Sequence, residues 1–233
     1  QLLIMTSLRT QLLQGDRVYS LMLMGCAPLV AELLAGMGYD CLIVDHEHSP
    51  VDVFQGVGML QAIAAGNSTG LSAPCAPIVR VPAPDDAVYI KKVLDTLTPP
   101  AGILVPMVET RQQAEKVVAA CRYPPAGIRG CAHKYVRASQ WGMDESYTDK
   151  AVDELLVMVQ VESAAAVERI PEIASVDGID AIFLGPFDIS CSIGRMGQLE
   201  HPEVEQLLQK AEEAVLASGK VLAGFRSPHR DLK

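Results

Sequence analysis

Short apolar runs alternate with longer amphipathic stretches along almost the whole chain. Seven runs read as strands: VYSLMLM (18–24), YDCLIVD (39–45), PIVRVP (77–82), GILVPMV (102–108), LLVMVQVE (155–162), AIFLGPFD (181–188) and VLAGF (221–225). Between them, residues 27–38, 50–66, 85–97, 110–123, 164–176 and 202–219 carry apolar positions at helical spacing. The first of these helices ends on a capping glycine, and Asp85 and Thr110 are placed to cap the third and fourth. Strands this continuously apolar are buried on both faces, which implies a parallel sheet covered by helices. The pattern predicts an α/β fold, a (β/α)8 TIM barrel forming a single domain over residues 1–233. An eighth strand is not evident before the chain stops. An open doubly wound sheet is the alternative, but no GxGxxG loop follows the first strand. Residues 66–77 read as a surface excursion or a pocket wall. Residues 131–147, with Tyr135, Trp141 and Tyr147, read as a lid or interface.

Composition narrows the class. Half the residues are hydrophobic (49%) and 20% are charged, enough for a large core. No apolar stretch reaches the roughly 18–20 residues that span a bilayer, and no signal-peptide pattern opens the chain; a cytoplasmic location is expected. The chain opens on Gln1, as a piece of a longer gene product would. The net charge of −9 argues against nucleic-acid or anionic-membrane partners. The six cysteines lack CxxC or zinc-finger spacing and read as buried, reduced thiols.

The candidate chemistry sits where the strands end. Asp45, Glu47 and His48 follow CLIV, Arg80 ends PIVR, Glu162 ends its run, and Asp188 follows AIFLGPF. In a parallel barrel these ends converge on one mouth. Glu162 and Asp188 are isolated among apolar residues, which is costly unless each is paired, protonated or metal-bound. Two such carboxylates suit Mg²⁺, Mn²⁺ or Co²⁺; the plainer possibility is that they cap helices, as Ser163 could beside Glu162. Asp45 is spaced to orient the His48 imidazole, with His46 and His133 as competing bases. Glu47 could hold a metal-bound water or fix the loop. Arg80 would hold a carboxylate or 2-oxo acid oxygen, or form a salt bridge to Asp45 or Glu47. Glycine turns at 128–130 (IRG) and 184–188 (LGPFD) would bring backbone close to a ligand.

DHEHSP (45–50), VRVP (79–82), GILVPMV with Glu109 and Thr110, RYPPAGIRG (122–130), VQVES (159–163) and FLGPFDIS (183–190) occur in that order. Together they resemble the metal-dependent class II 2-oxo acid aldolases of the HpcH/HpaI family, 4-hydroxy-2-oxoheptanedioate aldolase among them, over about residues 18–225. The 26-residue separation of Glu162 and Asp188 and the RYPPAGIRG run are the most specific features. The resemblance implies a barrel of the phosphoenolpyruvate/pyruvate type and a carbon–carbon lyase working through a pyruvate enolate. It implies a divalent metal on Glu162 and Asp188, a pyruvate or oxaloacetate substrate, and an aldehyde or other acceptor. Arg80 would contact the keto oxygen and His48, oriented by Asp45, would move protons. Gln160 and Phe187 would line the pocket, and backbone from Gly185 to Asp188 would hold the carboxylate. A terminal helix exchanged between partners in a homohexamer, a trimer of dimers, is implied too. The 66–77 loop, bulky Phe187 and the lack of a last strand and exchanged helix depart from the bacterial pattern and are similar to fungal macrophomate-synthase-type members. An oxaloacetate decarboxylase or a macrophomate-synthase-like bond-forming enzyme is therefore the alternative activity, and a non-catalytic binding barrel the alternative class. Lys91, Lys92, Lys116 and Lys220 lie in or beside helical stretches, so no Schiff-base amine stands at a strand end.

Overall fold

The structure, a computed structural model, describes residues 7–225. All seven expected strands are present: β1 Ser20–Leu23, β2 Cys41–Asp45, β3 Ala76–Arg80, β4 Ala101–Val105, β5 Leu155–Val161, β6 Ala181–Leu184 and β7 Val221–Gly224. They pair in parallel and in chain order, each with the next. Among the described residues β1 pairs only with β2 and β7 only with β6, so the seven strands form an open, curled half-barrel, in keeping with a barrel whose last strand is not evident. No described helix is long and apolar enough to cross a membrane.

The two-residue side-chain period sorts each strand into two faces. Leu42, Val44, Val79, Ile103, Val157, Val159 and Ile182 point outward into the main core. There they meet the helices α2 Pro28–Ala35, α3 Val53–Asn67, α4 Ala87–Leu94, α5 Arg111–Cys121, α7 Ala164–Glu168, α8 Ile170–Ala174 and α10 Pro202–Ala217. Cys41, Ile43, Ile78, Leu104, Leu156, Met158 and Phe183 point inward as a second core. A short helix, α1 Leu8–Leu13, inserts Leu8 into that inner core. Arg9 anchors it to Asp180 at 3.0 Å, just before β6. Its six residues are too few for a periodicity signal, and the sequence pattern does not announce it.

Local chemistry explains the boundaries and several corrections. Thr110 caps α5, as expected, accepting from the Gln113 N–H. Asp86, not Asp85, caps α4, accepting from the Tyr89 N–H at 2.8 Å. The stretch 164–176 is two short helices, broken at Arg169, with Ser163 capping the first and Pro171 opening the second. The 181–188 run is a strand only to Leu184; Pro186 starts the helix α9 Pro186–Ser192, so Asp188 lies in a first helical turn. Cys41, Cys75 and Cys121 are buried, and burial pushes their thiols up, but Cys26, Cys131 and Cys191 are exposed.

Both long loops connect a helix to the next strand, and therefore lie at the strands' N-terminal end, away from the mouth. Asn67 closes the first by bonding both backbone groups of Cys75 at 2.8 and 2.9 Å. The second runs from Tyr123 to Asp153 and includes the helix α6 Tyr147–Asp153. Arg129 pins it from inside, bonding Asp95 at 2.8 Å and the Tyr147 hydroxyl at 3.0 Å, with its guanidinium 4.6 Å from the Tyr123 ring centre. The lid expectation for 131–147, the pocket-wall expectation for 66–77 and the ligand-side expectation for the glycine turn at 128–130 are all overturned by this topology.

Two glycines in one helix test the packing. A Cβ on Gly66 would stand 2.3 Å from the Glu32 carbonyl of α2, whereas one on Gly58 meets nothing within 4 Å. Gly66→Ala should destabilise the protein by about 1–3 kcal/mol, and Gly58→Ala should stabilise it by up to about 1 kcal/mol. Urea melts showing equal effects would contradict this account of the α2–α3 contact.

Candidate active site

The inward face of the sheet changes character at its C-terminal rim. Below, it is wholly apolar; above, the next inward positions are Asp45, Arg80 and Gln160, followed by Glu162. Asp45 and Arg80 are register partners on β2 and β3. The guanidinium grips the carboxylate bidentately, Nε to Oδ1 at 2.7 Å and Nη2 to Oδ2 at 2.8 Å, and both groups are buried. Arg80 Nη1 also lies 3.0 Å from Glu47 Oε2. The Asp45 oxygens accept in addition the N–H groups of Glu47 (3.0 Å) and His48 (3.3 Å). This one carboxylate therefore shapes the loop that follows β2. Burial works against its charge, but the Arg80 and backbone hydrogen bonds prevail and hold its pKa below the ordinary value.

Glu162 stands at the end of β5, buried. Its Oε1 accepts the Met107 N–H at 2.6 Å, and its Oε2 accepts from the Gln160 amide. Gly185, after β6, is what lets these two side chains fit. A Cβ there would lie 2.7 Å from Glu162 Oε2 and 2.9 Å from Gln160 Nε2. Asp188 and Phe187 follow on the exposed first turn of α9. Burial pushes both Glu162 and Glu47 up to about 7. Asp188 adds to both shifts, and Glu47 adds to that of Glu162, so the mouth gathers carboxylates that repel one another.

The expected site residues meet at this rim, with four changes. Asp45 does not touch the His48 ring; Arg80 occupies its carboxylate. The acid facing that ring is Glu47, whose Oε1 lies 3.6 Å from His48 Nε2, and the ring itself is largely exposed. His46 turns away from the mouth: its Nδ1 lies 3.1 Å from the Tyr89 hydroxyl, and its Nε2 fills the space a side chain on Gly56 would need. Burial lowers its pKa, as suits a neutral packing group. His133 sits in the segment at the opposite end, 3.1 Å from Cys131 Sγ. Glu162 does not cap a helix, since Ser163 does. The sequence reading missed Met107, whose backbone sits at φ +54°; no residue type announces such a turn when it is built on methionine. It also missed Glu109, which accepts from the Ser163 hydroxyl at 2.6 Å.

Against known proteins, residues 19–228 match the model of the HpcH/HpaI aldolase/citrate lyase family. The chain belongs to this family. A hydroxypyruvate/pyruvate aldolase from Chromohalobacter salexigens is 42% identical over 216 residues, 93% of this chain and 81% of that protein. A 4-hydroxy-2-oxo-heptane-1,7-dioate aldolase from Escherichia coli is 43% identical over 190 residues, 82% of this chain and 69% of that protein. The crystal structure of an HpcH/HpaI family protein from Burkholderia cenocepacia superposes with a TM-score of 0.87 at 36% identity, covering 94% of this chain and 84% of that one. The chain is accordingly an enzyme of the aldolase/lyase class, which sets aside the non-catalytic barrel. HpcH/HpaI membership implies a metal-dependent mechanism. Among the described residues, though, no three His, Cys, Asp or Glu side chains gather as a metal cluster.

The raised carboxyls make stability depend on pH. Glu47 and Glu162 keep their protons to about 7 when folded but lose them near 4.5 when unfolded. The stability they contribute is full below that lower value and is lost as pH rises toward and through 7. Without metal, the melting temperature should fall between pH 5 and 8, and Glu162→Gln should recover on the order of 5 °C at pH 8. A wild-type melting temperature that rises over that interval would contradict these environments.

Proposed function

We propose that the chain is a divalent-metal-dependent class II aldolase that makes and cleaves 4-hydroxy-2-oxo acids through a pyruvate enolate. The observation carrying this reading is the meeting of a clamped arginine with repelling carboxylates at a single rim, with buried Glu162 pushed up to about 7. Such a cluster suits a cation. The donor set also fits: Glu162 and Asp188 offer hard oxygen ligands, and two carboxylates leave positions for water and substrate. The Gln160 Oε1 beside them is buried without a partner, and the bare Gly185 keeps the space above Glu162 open. Mg²⁺, Mn²⁺ and Co²⁺ are the candidate metals. When bound, the cation would supply Lewis-acid polarisation of the substrate keto group.

The chain's own residues supply the rest. Two of the five Arg80 N–H groups bond Asp45, and Nη1 lies 3.0 Å from Glu47 Oε2 without a hydrogen bond to it, so part of the fork is left to stabilise charge developing on the keto oxygen. Because both carboxylates hold the guanidinium in place, it needs little reorganisation as that charge grows. Phe187 and Asp188 follow Pro186 in the first turn of α9. Their N–H groups have no intrahelical acceptor there and can receive the substrate carboxylate. His48, beside Glu47 and open to solvent, takes the C4 hydroxyl proton as the C3–C4 bond breaks and the aldehyde leaves. It then returns a proton to C3 of the enolate to release pyruvate. Phe187, exposed beside Asp188, borders the space left for the acceptor.

An oligomer, the hexamer built as a trimer of dimers, belongs to the same reading. Leu29, Leu33 and Met37, in and just after α2, and Phe54 on α3 are strongly exposed apolar residues that association would cover. Sedimentation equilibrium reads that mass directly.

A coupled assay of pyruvate release from a 4-hydroxy-2-oxo acid tests the activity. Glu162→Ala and Asp188→Ala should remove metal-stimulated turnover. Arg80→Lys should lower kcat by roughly 10²–10³, since a point charge cannot reproduce the fork held by Asp45. Turnover surviving in the Glu162 variant would refute the metal assignment.

A further inference from the structure

The turn that joins β4 to α5 contains a backbone conformation its side chain does not explain. Met107 sits at φ +54° with its side chain close to half exposed. A left-handed backbone costs a non-glycine residue about 1–2 kcal/mol, and little packing is available here to hold it. What the conformation does achieve is to aim one N–H. Met107 donates to Glu162 Oε1 at 2.6 Å, and the next residue, Val108, donates to the Gln160 carbonyl at 3.1 Å. Glu109 then accepts from the Ser163 hydroxyl at 2.6 Å, and its carbonyl accepts from Arg169 at 3.4 Å. Three consecutive residues of the turn therefore grip the end of β5 from Gln160 to Ser163. Because φ sets the angle between this N–H and residues 108 and 109, an extended residue at 107 could not donate to Glu162 and keep the Val108 and Glu109 contacts together.

We propose that Met107 is a positioning residue: its left-handed backbone directs an N–H that sets the Glu162 carboxylate in the orientation that receives a divalent cation. The role rests on the metal reading given above. It belongs to the backbone, not to the methionine side chain. A group that orients a ligand without touching the metal typically governs affinity by 10–100-fold. The bond also offsets part of the cost of keeping Glu162 charged among buried neighbours.

The test is Mn²⁺ affinity, read by the electron paramagnetic resonance signal of free Mn²⁺ and independent of turnover. Replacing Met107 by its α-hydroxy acid analogue converts the amide to an ester and deletes the N–H alone. It should weaken Mn²⁺ binding at least about tenfold. Met107→Gly retains the N–H and adopts a left-handed backbone freely, so it should bind within about threefold of wild type. If the ester-containing chain does not fold, Met107→Val decides: a β-branched residue is poorly accommodated at this φ and should weaken binding at least about tenfold. An ester or valine variant that folds and binds Mn²⁺ like wild type overturns the positioning role and leaves the metal reading standing. Equal loss in Met107→Gly also overturns it, because the side chain would then be what matters. Wild-type protein that binds no Mn²⁺ overturns the metal reading and this role together.

Discussion

The site depends on the pairing of Asp45 with Arg80. The two residues face each other across β2 and β3, both buried, with hydrogen bonds of 2.7 and 2.8 Å. An arginine buried at the end of an apolar strand is tolerable only with such a partner; removing one member of a buried pair costs roughly 3–5 kcal/mol. The same carboxylate receives the N–H groups of Glu47 and His48. One acid thus ties together the sheet register, the direction of the guanidinium and the shape of the loop bearing the proton-transfer candidate. A one-residue slip of β2 would place Val44 or His46 on the inner face and undo all three.

The remaining rim is organised by tension. Burial, with Asp188 nearby, raises the demand of Glu47 and Glu162 for protons or for a cation, and Glu47 adds to that of Glu162. Backbone and amide donors reach both Glu162 oxygens, from Met107 and from Gln160, while the side-chain Oε1 of Gln160 beside them stays without a partner. Apolar layers below, filled by Ile43, Ile78, Leu104, Met158 and Phe183, make the platform beneath these groups stiff. Pre-organisation of this kind lets fixed charges act on a substrate without first rearranging.

Much of this is legible in the sequence because a parallel strand buried on both faces is a continuous apolar run, and its end is marked by the first polar residue. All seven strands could be read that way, and with them Asp45, Arg80 and Glu162; Gln160 comes only from the family resemblance. What escapes is whatever depends on neighbours distant in sequence. The spacing of Asp45 and His48 suggests a hydrogen-bonded pair, but Arg80, 35 residues on, takes that carboxylate. The left-handed Met107 carries no compositional signal, because it is held by β5 rather than by its own side chain. Trp141 and the tyrosines of the 123–153 segment look like a lid in sequence. Chain order sends them to the other end of the strands, where Arg129 ties Tyr123 and Tyr147 to Asp95. Asp188 misleads in a smaller way: Pro186 breaks the strand early, so this carboxylate rides on a helix beside the rim.

Proton exchange at the methyl group of pyruvate in D₂O, followed by NMR after chelator treatment and again with Mn²⁺ or Mg²⁺, tests the central claim most directly, since it reads enolate formation with no acceptor present. The account predicts exchange that requires the cation and is lost when Arg80 is replaced by alanine. Exchange that proceeds equally without metal, or none with either cation, would contradict it.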